Sequence, residues 1–166
     1  MMIAVTMHEW EEKLFGFAEL TSQNLNVSAD QVDNNIGHFA LFLLTLYVGV
    51  VPLFFPDVIW LSATVMILGI LETASHIAAV RMEKKGKLYT AGMVTAFTIL
   101  PALSIYGFFY IISRNLMQPA GWGWLFAVLN LVIPLLAAQN IAVRSMGINY
   151  NEFIKNTFNN IVQGRK

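Results

Sequence analysis

The chain contains no cysteine. Disulfides, thiolate metal sites and cysteine nucleophiles are therefore excluded, and any metal must be held by His, Asp or Glu. Charge is nearly as scarce: 12% of the 166 residues are Asp, Glu, Lys or Arg, about half of the roughly 25% usual in soluble domains. The ten basic and ten acidic residues cancel, so neither nucleic acid nor an acidic partner is suggested. No G-x-S-x-G elbow or phosphate-cradling glycine loop occurs either.

What is present is apolar. Hydrophobic residues make up 57% of the chain and the mean hydropathy is +0.60, which points to an integral membrane protein in one domain over residues 1–166. A helix needs roughly 20 mainly apolar residues to cross a hydrocarbon core of about 30 Å. Four segments meet that need, at 38–56, 58–80, 88–113 and 122–143. The expected fold class is an all-α membrane protein, a four-span helix bundle. The opening "MMIAVTMHEWEEK" lacks a basic start, and acidic residues interrupt its apolar run. It is therefore expected to be retained rather than cleaved as a signal peptide.

Basic residues set the expected orientation. Arg81, Lys84, Lys85 and Lys87 lie between the second and third spans, and Arg144, Lys155, Arg165 and Lys166 follow the fourth. The positive-inside rule places both stretches, and hence both termini, in the cytoplasm. Trp122 and Trp124 would mark the opposite interface. Before the first span, "VSADQV" at 27–32 is a capping box, with Ser28 as cap, Gln31 three residues on, and Val27 and Val32 as staple. It predicts a long helix from about residue 29 into the mid-fifties. Residues 2–20 read as an amphipathic helix, because Ile3, Met7, Trp10, Leu14 and Phe17 recur at spacings of three and four. That helix either lies on the interface or tucks against the bundle with its polar face inward. Residues 149–162 carry a second stripe, Phe153, Ile154, Phe158 and Ile161, suited to an interfacial helix.

Chemistry concentrates at two places. His8, Glu11 and Glu12 share one helix face and could ligate zinc, manganese or iron; the competing reading is a solvated face of an interfacial helix. Glu72 and His76, four residues apart in an otherwise uncharged span, also share a face. Ionisable groups inside a span default to a functional reading, against which stands a structural hydrogen bond. His38, Asn34, Asn35, Gln139 and Asn140 fall near the same depth and suit the headgroup zone. His8-Glu9-x-x-Glu12 differs from the H-E-x-x-H protease helix by lacking the second histidine, which removes a usual zinc ligand.

"HEWEE" at 8–12, together with His76 shortly before "YTAG" at 89–92 and the continuation "GMVTAFTILP", resembles the HXXEE-domain family of small bacterial membrane proteins. In that family a second histidine precedes a Y-x-P-G motif; here Ala91 stands in place of the proline. The resemblance covers most of the chain and implies a bacterial inner-membrane location. It also implies that His8, Glu11, Glu12 and His76 form a site, and it names no reaction. Tyr89, Thr90 and Gly92 would open the third span at that level, with Gly92 allowing close approach of a helix or ligand.

Three functions remain open. In the first, a metal-dependent membrane enzyme holds a divalent zinc, iron or manganese ion through His8, Glu11, Glu12, Glu72 and His76. Glu11, Glu12 and Tyr89 would supply catalytic groups for a lipid or other apolar substrate of the cytoplasmic leaflet. The second is a small-molecule or proton-coupled carrier, for which a homo-oligomer would supply the pathway. The third is a non-catalytic scaffold using these groups structurally.

Overall fold

A computed structural model of the chain describes residues 1–15, 22, 28–32, 35–82 and 90–163. Helices α1 (Met2–Leu14), α2 (Ala29–Val32), α3 (Asn35–Phe54), α4 (Ile59–Met82), α5 (Met93–Phe97), α6 (Ile99–Ser113), α7 (Ala120–Ser145) and α8 (Tyr150–Gln163) follow one another. No strand occurs among the described residues.

Among the described residues, three stretches are long and apolar enough to cross a membrane: Ile59–Val80, Met93–Ser113 and Gly121–Ser145. The first expected span appears as a shorter apolar helix, Phe39–Phe54, within the 20-residue α3. At 1.5 Å per residue, α3 is about 30 Å long. The third stretch, expected as one helix, is two. Thr98, at a distorted φ of −116° and ψ of −73°, ends one helix and begins the next. Pro101 has no N–H to return to the carbonyl of Phe97, so the hydrogen-bond ladder is interrupted here. Beside the break, the buried Ala96 carbonyl accepts a 2.6 Å bond from the Thr73 hydroxyl of α4.

The capping box closes as expected. Ser28 N–H donates to Gln31 Oε1 at 3.0 Å, and Gln31 N–H donates to Ser28 Oγ at 3.3 Å. Gln31 Nε2 also donates to the Met146 carbonyl, tying α2 to the end of α7. Residues 33 and 34, which would join α2 to α3 as one long helix, lie outside the described residues.

Helix α4 is the hub, packed on α3, α5, α6, α7 and α8. Leu44, Val48, Leu68, Leu131 and Ala138 join α3, α4 and α7. Ala63, Ile111 and Ala127 join α4, α6 and α7. Ala63 and Ala127 are fully buried, and such small residues let helices approach closely where lipid tails compete equally for apolar contact. A polar chain crosses the same bundle: Tyr47 donates to Asn130, Asn130 Nδ2 donates to Thr64, and Thr64 donates to the carbonyls of Trp60 and Ala127.

The outside is apolar. Leu53, Phe54, Ile105, Phe109, Ile112, Trp122 and Ile133 are all more than 60% exposed. An exterior of this kind is a liability in water and ordinary in lipid. The molecule is built as a membrane protein.

Candidate metal centre

Helix α1 inserts with its polar face inward. Ile3, Met7, Trp10 and Leu14 form an outward stripe, while Ala4, Val5 and His8 are buried. Ala4 and Val5 pack against Val65 of α4 and Leu100 of α6, so the first turns of α1 sit deep in the bundle. Met1 reaches Gly69 of α4, where a β-carbon would collide with it. Further along, His8 faces Glu72 and Glu12 faces His76. The two helices therefore run in the same direction, each presenting a His/Glu pair at a spacing of four.

These pairs converge on one another. His8 Nε2 lies 3.6 Å from Glu72 Oε2 and 3.7 Å from Glu12 Oε1. The same Glu12 oxygen is 3.3 Å from His76 Nε2. The imidazoles meet edge to face, with centroids 5.1 Å apart. His8 is 1% exposed and His76 4%, whereas the Glu12 and Glu72 side chains keep 15% and 27%. His8, Glu72 and His76 can each offer one ligand atom within 4.8 Å of the others, so the group could hold a metal ion.

The back of each histidine is fixed. His8 Nδ1 is 3.1 Å from the Gly92 carbonyl and 2.9 Å from Thr95 Oγ1. A carbonyl only accepts, so Nδ1 carries the proton and the lone pair of neutral His8 sits on Nε2. His76 Nδ1 is held by Thr90 Oγ1 at 2.9 Å. Metal-binding histidines are oriented in this way by a partner on the second nitrogen. His8 Nε2 itself is buried without a hydrogen-bond partner.

Glu11 points elsewhere. Its Oε1 accepts from Val94 N–H at 3.0 Å, and its Oε2 accepts from Thr95 N–H at 2.9 Å and the Thr95 hydroxyl at 2.7 Å. The first N–H groups of a helix have no partner within it. Glu11 thus caps α5 from another helix, and through Thr95 it steadies His8.

Gly92 is the floor of the cluster. Its φ is +82°, a conformation that glycine adopts without steric cost. A β-carbon there would lie 2.5 Å from Glu12 Cγ, 2.8 Å from His8 Cε1 and 3.1 Å from His76 Cε1. Helix α5 starts immediately after it, so the turn at 90–92 both opens the third apolar stretch and makes room for the imidazoles.

Of the residues expected at the site, His8, Glu12, Glu72 and His76 come together, and Glu11 lies beside them in its capping role. Tyr89 and Asn34, and the side chains of His38 and Asn35, lie outside the described residues. Asn140 lines a groove between α7 and α8 instead. Thr95, which joins His8 and Glu11, is not marked out by the sequence. Its position three residues beyond the glycine turn was visible, but its partners on α1 are more than eighty residues away.

Residues 1–106 match the family described as "Protein of unknown function with HXXEE motif". The chain belongs to this HXXEE family. The matched segment carries all four members of the cluster, the Glu11 cap and the Gly92 turn, whereas α7 and α8 follow it. No curated protein and no solved structure matches this HXXEE chain.

Proposed function

We propose that the cluster is the centre of a metal-dependent membrane enzyme acting on a lipid or other apolar substrate at the cytoplasmic leaflet. The carrying observation is His8 Nε2, buried and unpartnered between the Glu72 and Glu12 carboxylates. A neutral imidazole in that position aims its lone pair at two anions, which a cation between them would reconcile. Zinc takes nitrogen and oxygen ligands at about 2.0–2.2 Å, so the edges of its coordination tetrahedron measure about 3.3–3.6 Å on the same principle. Of the proposed ligands, His8 Nε2 and Glu72 Oε2 are 3.6 Å apart, which is of that size, and His76 offers a ligand atom within 4.8 Å of both.

In this reading His8, His76 and Glu72 hold one ion. With Glu11 engaged at α5, the ligand set suits a single ion rather than a pair. Such an ion supplies Lewis acidity or lowers the pKa of a bound water. Glu12, beside both imidazoles and partly exposed, is the proton acceptor.

Depth favours an apolar substrate. His76 lies six residues before the end of α4, about 9 Å along the axis, and Glu72 about 15 Å. With the basic residues that follow α4 on the cytoplasmic side, as the positive-inside rule suggests, that depth falls within the inner leaflet. Bacterial phospholipid in mixed micelles, incubated with protein loaded with zinc, manganese or ferrous iron, should yield a new lipid species by mass spectrometry. Glu12→Gln should abolish it while retaining the metal. Unchanged lipid with every metal would overturn the enzymatic reading.

A proton in place of the metal gives the second reading, a proton-coupled carrier, and the two carboxylates facing His8 Nε2 favour it. The Tyr47–Asn130–Thr64 chain adds little to that case, because each hydroxyl and amide in it already serves a neighbouring helix.

A further inference from the structure

Away from the His/Glu cluster, α7 and α8 form an open groove lined by Leu136, Ala137, Asn140, Ile141, Tyr150 and Ile154. Its walls follow from helical spacing: Leu136, Ala137, Asn140 and Ile141 repeat at three and four on α7, and Tyr150 and Ile154 lie one turn apart on α8. The turn between the helices contains Gly147 at φ +79°, which folds α8 back towards the end of α7. Helix α8 contacts both α4 and α7, yet Ile154, Phe158 and Val162 remain exposed. An apolar stripe on a helix of this kind belongs in a membrane interface.

One lining residue has an atom that lacks what its chemistry requires. The Tyr150 hydroxyl is buried and has no hydrogen-bond partner among the described residues. A buried phenol is normally satisfied. Asn140, one turn from Arg144 on α7, brings a polar amide to the same wall. Arg144 and Lys155 are exposed at this end of the molecule. Apolar lining, a donor in need of an acceptor, and flanking cations together describe the glycerol–phosphate region of an anionic phospholipid.

We infer that the groove between α7 and α8 is a binding site for one anionic phospholipid. Its acyl chain runs along Leu136, Ala137, Ile141 and Ile154, an ester or phosphate oxygen accepts from the Tyr150 hydroxyl, and the phosphate charge is met by Arg144. Such a lipid pins the amphipathic α8 to the bundle and makes its docking depend on lipid composition. The site is separate from the His/Glu cluster and stands whether or not that cluster holds a metal.

The test uses full-length protein stripped of lipid in detergent, titrated with phosphatidylglycerol or phosphatidylcholine in mixed micelles, with thermal unfolding as readout. Phosphatidylglycerol should raise Tm by several degrees at concentrations where phosphatidylcholine does little. Tyr150→Phe removes only the hydroxyl, and Arg144→Gln only the charge. Each should weaken the phosphatidylglycerol response by about tenfold in midpoint concentration, on the scale of one charge-assisted hydrogen bond. Native mass spectrometry should show one retained phospholipid on the wild type and its loss in both variants. A response equal for the two lipids, or one unaltered in both variants, would overturn the assignment. So would the absence of any lipid response, which would leave the groove to water or a second copy of the chain.

Discussion

Two glutamates one position apart have different tasks, and single substitutions separate them. Glu11→Ala should lower stability by about 1–2 kcal/mol, the usual scale of a lost helix cap, while metal content stays near that of the wild type. Thermal melts beside elemental analysis check this, and loss of metal with unchanged stability would return Glu11 to the ligand set. Gly92→Ala should do more harm than its size suggests. Left-handed geometry alone costs a side chain about 1–2 kcal/mol, and the new β-carbon meets Glu12, His8 and His76. The expected result is a destabilised protein that no longer binds metal.

At the scale of elements, α1 is the part of the account most open to direct trial. Its amphipathic spacing was readable from Ile3, Met7, Trp10 and Leu14. Periodicity alone, however, cannot say whether the apolar or the polar stripe faces the protein. The structure resolves this by burying His8 and turning those four residues outward. The absence of native cysteine makes the test clean. A spin label on Met7→Cys should collide with dissolved oxygen in the lipid and be shielded from a water-soluble nickel reagent. The reverse pattern would place α1 outside the bilayer.

Other elements were legible to different degrees. The capping box at Ser28 and Gln31 was readable because its partners are three residues apart, and Glu72 with His76 stood out as the charge in an apolar span. The break at Thr98 had a local cause in Pro101, but the apolar run on either side concealed it. Thr73 and Thr95 could not be ranked in advance, and for Thr90 only its level near the site was legible. Threonines are common in such helices, and only the packing of α1, α4 and α5 shows which carbonyl, imidazole or carboxylate each one meets.

For the whole molecule, the bundle brings together what the chain separates by more than sixty residues. Helix α1 delivers His8 and Glu12, α4 delivers Glu72 and His76, and the turn before α5 supplies the floor and the second-nitrogen partners. A site assembled from three segments should depend on all of them, so His8→Ala and His76→Ala should each lower metal content sharply rather than by half. The most direct measurement is elemental analysis of the detergent-purified protein beside the His8→Ala, His76→Ala double variant, with circular dichroism to show that the variant remains helical. The account predicts close to one equivalent of zinc, manganese or iron in the wild type and none in the folded variant. Wild-type protein that stays free of metal, even after reconstitution with each of these ions, would contradict it.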